Sequence, residues 1–154
     1  MLVSVLLISI SCTKEVDTNP QTHKIIGIWS NMSSMDDPNL NTSLRYVFNL
    51  DNTIEVTRIV SKKSTSEVLG FRYRAIGTYE INKDILSMHF SEIYTHDDSS
   101  GDYSNINDLE LSHSSETRVV TVSFSKFGKV MTFIYPPCPE NANCIGSQTF
   151  EKSK

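Results

Sequence analysis

The sequence predicts an all-β protein: an antiparallel up-and-down barrel of about eight strands after a signal peptide and a short tether. Three observations support this fold class. Apolar and polar side chains alternate along most of the chain after residue 25, which is the period of a strand. Short turns join most of these segments, which favours antiparallel neighbours. A helical period is hard to find, and a β-sandwich is the competing arrangement.

The N-terminal residues predict export. Residues 1–11 are uncharged and mostly apolar, about half the length that a membrane-spanning helix needs. An apolar stretch running into small residues is typical of a signal peptide, although no Lys or Arg precedes it here. Its end, Ser9-Ile10-Ser11-Cys12, resembles a bacterial lipobox, in which the cysteine is lipidated and signal peptidase II cleaves the chain immediately before it. Residues 12–24 are polar and predict a flexible tether, with the barrel domain over residues 25–154. The alternative for residues 1–11 is a buried strand or short helix.

The cysteine content fits an exported lipoprotein. Acylation of Cys12 would leave Cys138 and Cys144 close together in the segment PPCPENANC. In an oxidising compartment this pair predicts a disulfide, with free thiols or a metal site as the alternatives. No further Cys or His flanks the pair, so a metal ion would lack ligands, and we expect no metal.

The predicted strands follow one another as hairpins. The first strand contains Trp29, and segments 44–50 and 54–60 form a hairpin around Asp51-Asn52. Segments 71–81 and 85–90 form a second hairpin. Segments 105–113, 118–124, 130–135 and 147–152 complete the sheet. Gly77 lies within an apolar face, where the lack of a side chain lets a strand bend sharply. A closed barrel hides both the apolar face and the edges of such a sheet.

Several short motifs occur in a recognisable order along the chain. Gly27-x-Trp29 resembles the lipocalin-type signature, in which the tryptophan closes one end of the barrel. The hairpin of residues 77–88, the lipobox, the late cysteine pair and the closing residues 150–152 resemble the lipocalin-like lipoproteins of Bacteroidota-type bacteria. This resemblance covers roughly residues 25–152. It implies a lipocalin-like (calycin) barrel at the outer membrane, and ligand binding follows from it only by analogy.

The lumen of an eight-stranded barrel is either filled by side chains or holds one small ligand, and both readings stay open here. Alternation brings one set of mostly large apolar side chains to the inside: Tyr46, Phe48, Val56, Phe71, Tyr73, Tyr79, Met88, Phe90, Val122 and Phe124. Arg58 falls on the same alternation, and a charge there needs a partner or could meet a ligand carboxylate. A bulge after Thr57, turning Arg58 outward and Ile59 inward, is the alternative that we favour.

Other functions find little support in the sequence. A net charge of −4 argues against nucleic acid as the main partner. No nucleophile-elbow, zinc-protease or phosphate-binding glycine motif occurs, so we expect neither an enzyme nor a cofactor. His96 lies in an acidic stretch whose many oxygen ligands could indicate a calcium site. The ordered spacing of a calcium loop is absent, and we expect a solvated loop.

Two functions are therefore expected. One is a lipid-anchored monomer at the outer membrane, facing the periplasm or the surface, that binds a small apolar or amphipathic ligand in its lumen. The alternative is a non-enzymatic module with a filled barrel, which binds a protein or glycan through residues 34–43 and 95–105.

Overall fold

The computed structural model describes residues 20–113, 115–137, 139 and 144–153. A short helix, α1 (Pro20–Ile25), precedes the strands. The strands are β1 (Gly27–Ser34), β2 (Leu40–Phe48), β3 (Thr53–Lys62), β4 (Val68–Asn82), β5 (Ile85–Thr95), β6 (Glu110–His113), β7 (Glu116–Ser125), β8 (Val130–Ile134) and β9 (Ser147–Lys152). Over these described residues, no helix is both long and apolar enough to cross a bilayer.

The strands close into a ring. Their order is β4-β3-β2-β1-β9-β8-β7-β5-β6, and a further pairing of β4 with β5 joins eight of them into a closed antiparallel barrel. β6 and β7 pair with successive halves of β5, since Leu111 lies opposite Tyr94 and Arg118 opposite Met88. They therefore occupy one place in the wall, as an interrupted strand. The all-β, up-and-down architecture predicted from the alternation is confirmed.

The ring has two distinct ends. We call one end the base; it carries α1 and the tight turns at residues 49–52, 83–84 and 126–129. We call the other end the mouth; it carries the longer connections at residues 35–39, 63–67, 96–109 and 135–146, the last of which is described only in part.

Aromatic side chains fill the ring from the base to its middle. Trp29 is fully buried and donates a hydrogen bond from Nε1 to the Ile25 carbonyl at 2.6 Å, which ties α1 to the base. The Tyr46 ring lies 5.3 Å from Phe133 and 5.1 Å from Phe150. Such edge-to-face packing at van der Waals separation fills the space between facing walls.

Gly77 is where the wall bends. The pairing of β4 with β5 shifts between Ile76 and Gly77, so one residue of β5 is left over. A Cβ at position 77 would lie 2.0 Å from the His89 carbonyl oxygen and 2.7 Å from the Phe90 Cα. Only glycine allows the two backbones to approach this closely, which agrees with the sharp bend expected from the sequence.

Three local expectations are wrong. Residues 20–24, predicted as the end of a flexible tether, lie in helix α1, because a proline can open a helix and Ile25 is buried against the base. Leu50, the last residue of the predicted strand segment 44–50, lies beyond the end of β2; it is in the turn and is 78% exposed. Residues 106–108 form a 3₁₀ turn, capped by the Asn105 side chain, so the strand predicted over 105–113 begins only at Glu110.

Candidate functional site

The side chains predicted to line the lumen mostly form a packed core. Seven of them are at most 2% exposed: Tyr46, Phe48, Val56, Tyr79, Met88, Phe90 and Val122. Tyr73 and Phe124 are partly buried and pack against this core. Phe71 is also partly buried, but its predicted inward position is wrong, because the additional residue Arg72 in β4 pairs Phe71 with Ile59 on the outer face of the wall. Two grooves, of about 610 and 430 Å³, lie over the outer face of the wall beside Arg45 and beside Lys83. The middle and base of the lumen are therefore occupied by the protein itself.

Arg58 lies at the mouth, exposed to solvent. Its pairing with β2 is continuous, so it keeps the alternation of Val56 and lies opposite Leu44. The register shift falls after Arg58 instead of after Thr57, and the additional residue is Arg72 of β4. The bulge expected after Thr57 is thus misplaced. Ile59 is buried on the other face of β3, beside Ser43.

A charged pair that is absent from the predicted lumen residues lies on the inner face of β7. Glu116 and Arg118 continue the inward alternation of Val120 and Val122. Arg118 donates from Nε to Glu116 Oε1 at 2.5 Å and from Nη2 to Oε2 at 3.1 Å. This two-point geometry is the strongest form of an arginine–carboxylate pair.

Tyr73 contacts the Arg118 guanidinium directly, and Tyr46 and Tyr135 lie close enough to feel its charge. Arg118 Nη2 also donates to the Tyr73 hydroxyl at 3.1 Å, and its Cζ lies 5.2 Å from the centre of the Phe90 ring. The Tyr135 hydroxyl donates to Gln148 Oε1 at 3.1 Å. We call the set Tyr46, Tyr73, Glu116, Arg118 and Tyr135 the Arg118 cluster. It lies where the filled core ends, because Tyr46 is buried whereas the Arg118 side chain is 32% exposed.

The electrostatics keep Arg118 charged and the three tyrosines of the cluster neutral at neutral pH. Burial opposes the charge of Arg118, but the hydrogen bond to Glu116 and the nearby Tyr73 raise its pKa above the usual value. Burial raises the pKa of Tyr46, Tyr73 and Tyr135, and the neighbouring guanidinium partly offsets this. The cluster therefore combines one paired cation with neutral hydroxyls, which can donate to or accept from a polar group.

His96 organises the longest mouth loop. It is 8% exposed; its Nδ1 lies 2.7 Å from Ser104 Oγ, and its Nε2 donates to the Gly101 carbonyl at 2.6 Å. Phe71 and Ser104 exchange two backbone hydrogen bonds, so the loop packs on β4. The expectation of a freely solvated loop is wrong at His96. Among the described residues, no group of three ligating side chains could hold a metal ion.

The cysteine predictions concern residues that are mostly not described. Cys12 and Cys138 lie outside the described residues, whereas Cys144 lies in the final mouth loop. Acylation of Cys12 and the pairing of Cys138 with Cys144 remain predictions.

Arg118 could have been found from the sequence. The alternation that selects Val120, Val122 and Phe124 also places Arg118 and Glu116 inward. However, a charged residue at the start of a strand usually lies in solvent. The sequence alone therefore does not single out these two residues as a buried pair. Tyr135, just beyond β8, carries no comparable signal.

Comparison with known proteins adds no assignment: no family model matches the chain, and no curated protein or solved structure matches it.

Proposed function

We propose that this protein is a non-catalytic binding module, and that its mouth holds the polar head of a small amphipathic molecule in the Arg118 cluster. The observation that carries the proposal is a partly exposed guanidinium, held by Glu116 and Tyr73 at the top of a packed core. Catalysis has no comparable support, because the cluster contains neither a nucleophile beside a base nor a metal site.

The packed core decides how such a ligand would lie. Because aromatic side chains fill the ring below Tyr46, a long apolar chain has no room in the depth of the lumen. The polar head would meet the hydroxyls of Tyr73 and Tyr135. The apolar part would lie higher, against the partly buried Leu44 at the mouth. The proposed ligand is thus held at the rim rather than enclosed.

Native mass spectrometry of the full chain after incubation with envelope lipid extract tests this proposal. We expect a retained small molecule that R118M loses. Y73F and Y135F remove only one hydroxyl each and should weaken retention several-fold, at about 1 kcal/mol per hydrogen bond. R45Q, on the outer wall, is the matched control and should retain the ligand. No retained molecule with the wild-type protein, or equal retention by R118M, would contradict the proposal.

A protein partner at the mouth is the second candidate, and it is favoured by charge. The mouth loops at 35–39, 63–67 and 96–109 contain seven acidic residues and one lysine: Asp36, Asp37, Glu67, Asp97, Asp98, Asp102, Asp108 and Lys63. Such a rim would attract a cationic protein segment. Capture of a partner that is lost on neutralising Asp36 and Asp37, with no change in unfolding temperature, would support this candidate; capture that persists would contradict it.

We further propose that Cys12 carries fatty acyl chains that anchor the protein to the outer membrane, and that Cys138 and Cys144 form a disulfide. The lipobox-like end of residues 1–11 and the cysteine count support this. Intact-mass measurement of protein recovered from cells tests both modifications. Protease treatment of whole cells then distinguishes a surface location, which is cleaved, from a periplasmic one, which is protected.

A further inference from the structure

The base carries two apolar side chains that nothing in the fold requires to be exposed. Phe127, in the turn between β7 and β8, is fully exposed. Lys126, Phe127 and Gly128 have φ values of 48°, 57° and 79°. Bulky residues rarely adopt this left-handed conformation, and such residues concentrate at functional sites. Lys126 and Phe127 adopt it in succession, and this turn holds the Phe127 ring away from the barrel.

Leu50 repeats this arrangement at another point of the base. It lies in the turn between β2 and β3, is 78% exposed, and is separated from the Phe127 turn by β1 and β9 in the ring. Large apolar side chains at the tips of two turns on one end of a barrel form a docking surface that a flat apolar layer could meet.

Charge is sorted between the two ends of the ring. The base turns and α1 contain four lysines against two aspartates: Lys24, Lys83, Lys126, Lys129, Asp51 and Asp84. The mouth loops carry the excess of acidic side chains described above, of which Glu67 and Asp98 are paired with Lys62 and Arg72. Lys126 and Lys129 flank Phe127 directly. An apolar side chain between lysines suits an anionic phospholipid surface, where the lysines contact phosphate groups.

The chain also arrives at the base. Helix α1 begins at Pro20 and ends at Ile25, which is buried under Trp29. If Cys12 is acylated, as proposed above, residues 13–19 can span at most about 25 Å when fully extended. The bilayer would therefore lie close to the base and far from the mouth.

We infer that the base is a membrane-docking surface, on which Phe127 and Leu50 enter the headgroup region of an anionic phospholipid bilayer. Lys126, Lys129 and the other base lysines then lie at the phosphates. The acidic mouth points away from the membrane, toward the aqueous compartment. This inference shares the envelope location with the proposed function but uses neither the mouth loops nor the Arg118 cluster.

Quenching by brominated lipid tests the inference on the full chain as cells produce it. The protein is bound to vesicles of phosphatidylcholine and phosphatidylglycerol in equal parts, with bromine on the acyl chains. F127W and L50W each add one tryptophan at the base, and the emission of the buried Trp29 is subtracted with the wild-type protein. I145W, at the exposed Ile145 of a mouth loop, is the matched control.

We expect bromines near the headgroups to remove at least about half of the emission added by F127W, because an interfacial side chain lies roughly 5–10 Å deep. L50W should behave similarly, and I145W should lose nothing. K126Q/K129Q should lower the quenching of F127W in these vesicles but not in pure phosphatidylcholine, with an effect on partitioning of about fivefold per lysine.

Three results would overturn the inference. One is an absence of quenching for both base variants in vesicle-bound protein. Another is equal quenching of F127W and I145W, which would mean that the barrel has no preferred orientation. The third is an unquenched base together with a concentration-dependent dimer, which would assign the base to a second copy of this chain.

Discussion

At the scale of single residues, whether a charged side chain lies beside the core depends on whether it has hydrogen-bonding partners there. Arg58 and Arg118 both lie on the inward alternation of their strands. Arg118 keeps its place beside the core because Glu116 and Tyr73 satisfy its donors, whereas Arg58 lies at the rim in water. A buried cation without such partners would be unstable. Alternation therefore predicts which face a charged residue is on, but not whether it is buried there.

The first prediction concerns Tyr46 at alkaline pH. Burial raises its folded-state pKa above the ordinary value of about 10. The unfolded chain therefore releases this proton first as the pH rises. The contribution to the free energy of unfolding should be complete below about pH 10 and decrease above it. Ultraviolet titration of native and unfolded protein should show fewer phenolates in the native state; coincident curves would contradict this. Y46F should show a shallower alkaline decrease in stability.

The second prediction concerns Gly77. Because the added Cβ would meet the backbone of β5 rather than a movable side chain, G77A must separate the two strands locally. We expect a loss of about 3 kcal/mol in the free energy of unfolding, at the upper end for overpacking. G146A is the matched control, since no atom lies within 4 Å of the position of its Cβ. Denaturant titrations of both variants measure the difference, and equal stabilities would contradict the bend assigned to Gly77.

At the scale of the element, the loop of residues 96–109 has its own small interior. His96 joins Gly101 and Ser104 through its two ring nitrogens, and Asp97 and Asn105 cap the two 3₁₀ turns. Composition alone suggested a solvated acidic loop. Composition cannot show that His96 folds this loop on itself or that Ser104 then pairs with Phe71 of β4, a residue distant in sequence.

The third prediction follows from this interior. H96A leaves the Gly101 carbonyl and the Ser104 hydroxyl without their partner, so we expect a loss of about 1–3 kcal/mol. Amide hydrogen exchange should accelerate in residues 97–108 and stay unchanged in β2 and β3. H89A is the control, because His89 is exposed on the outer wall, and its cost should stay within about 0.5 kcal/mol. Acceleration across the whole ring would contradict a local role.

At the scale of the whole molecule, the fold was more predictable than the site. Alternation, short turns and Gly77 are local signals, and they are sufficient for a closed antiparallel sheet. The interruption between β6 and β7 was not predictable, because both pieces pair with β5 and only the register shows it. The Arg118 cluster depends on Tyr46, Tyr73 and Tyr135 from three other parts of the chain, and its assembly is a property of the closed ring.

The ring has one weak joint, between β1 and β9, which we call the seam. It has two paired positions, Trp29 with Lys152 and Ser30 with Glu151, whereas β2 and β3 share nine. Above these pairs, the Asn31 side chain donates to the Thr149 carbonyl at 2.5 Å in place of a backbone ladder. A closed wall opens most easily where the fewest hydrogen bonds hold it.

The fourth prediction is that the seam opens before the rest of the wall. Amides of β9 that face β1 should exchange with solvent faster than those between β2 and β3. N31A should increase this difference and cost about 1 kcal/mol. N41A, whose side chain contacts Met32 Sδ on an exposed part of the wall, is the matched control. Uniform exchange around the ring would show that the side-chain contact compensates for the short ladder.

The seam also determines when the barrel can close. Asn31 and Thr149 are 118 residues apart along the chain. During synthesis from the N-terminus, the chain can therefore form only an open sheet with two unpaired edge strands until β9 has been synthesised. Closure through so distant a pair is slow compared with local hairpin formation. The wall therefore closes last, after the local hairpins have formed, and the borders at β1 and β9 stay open to other strands until then.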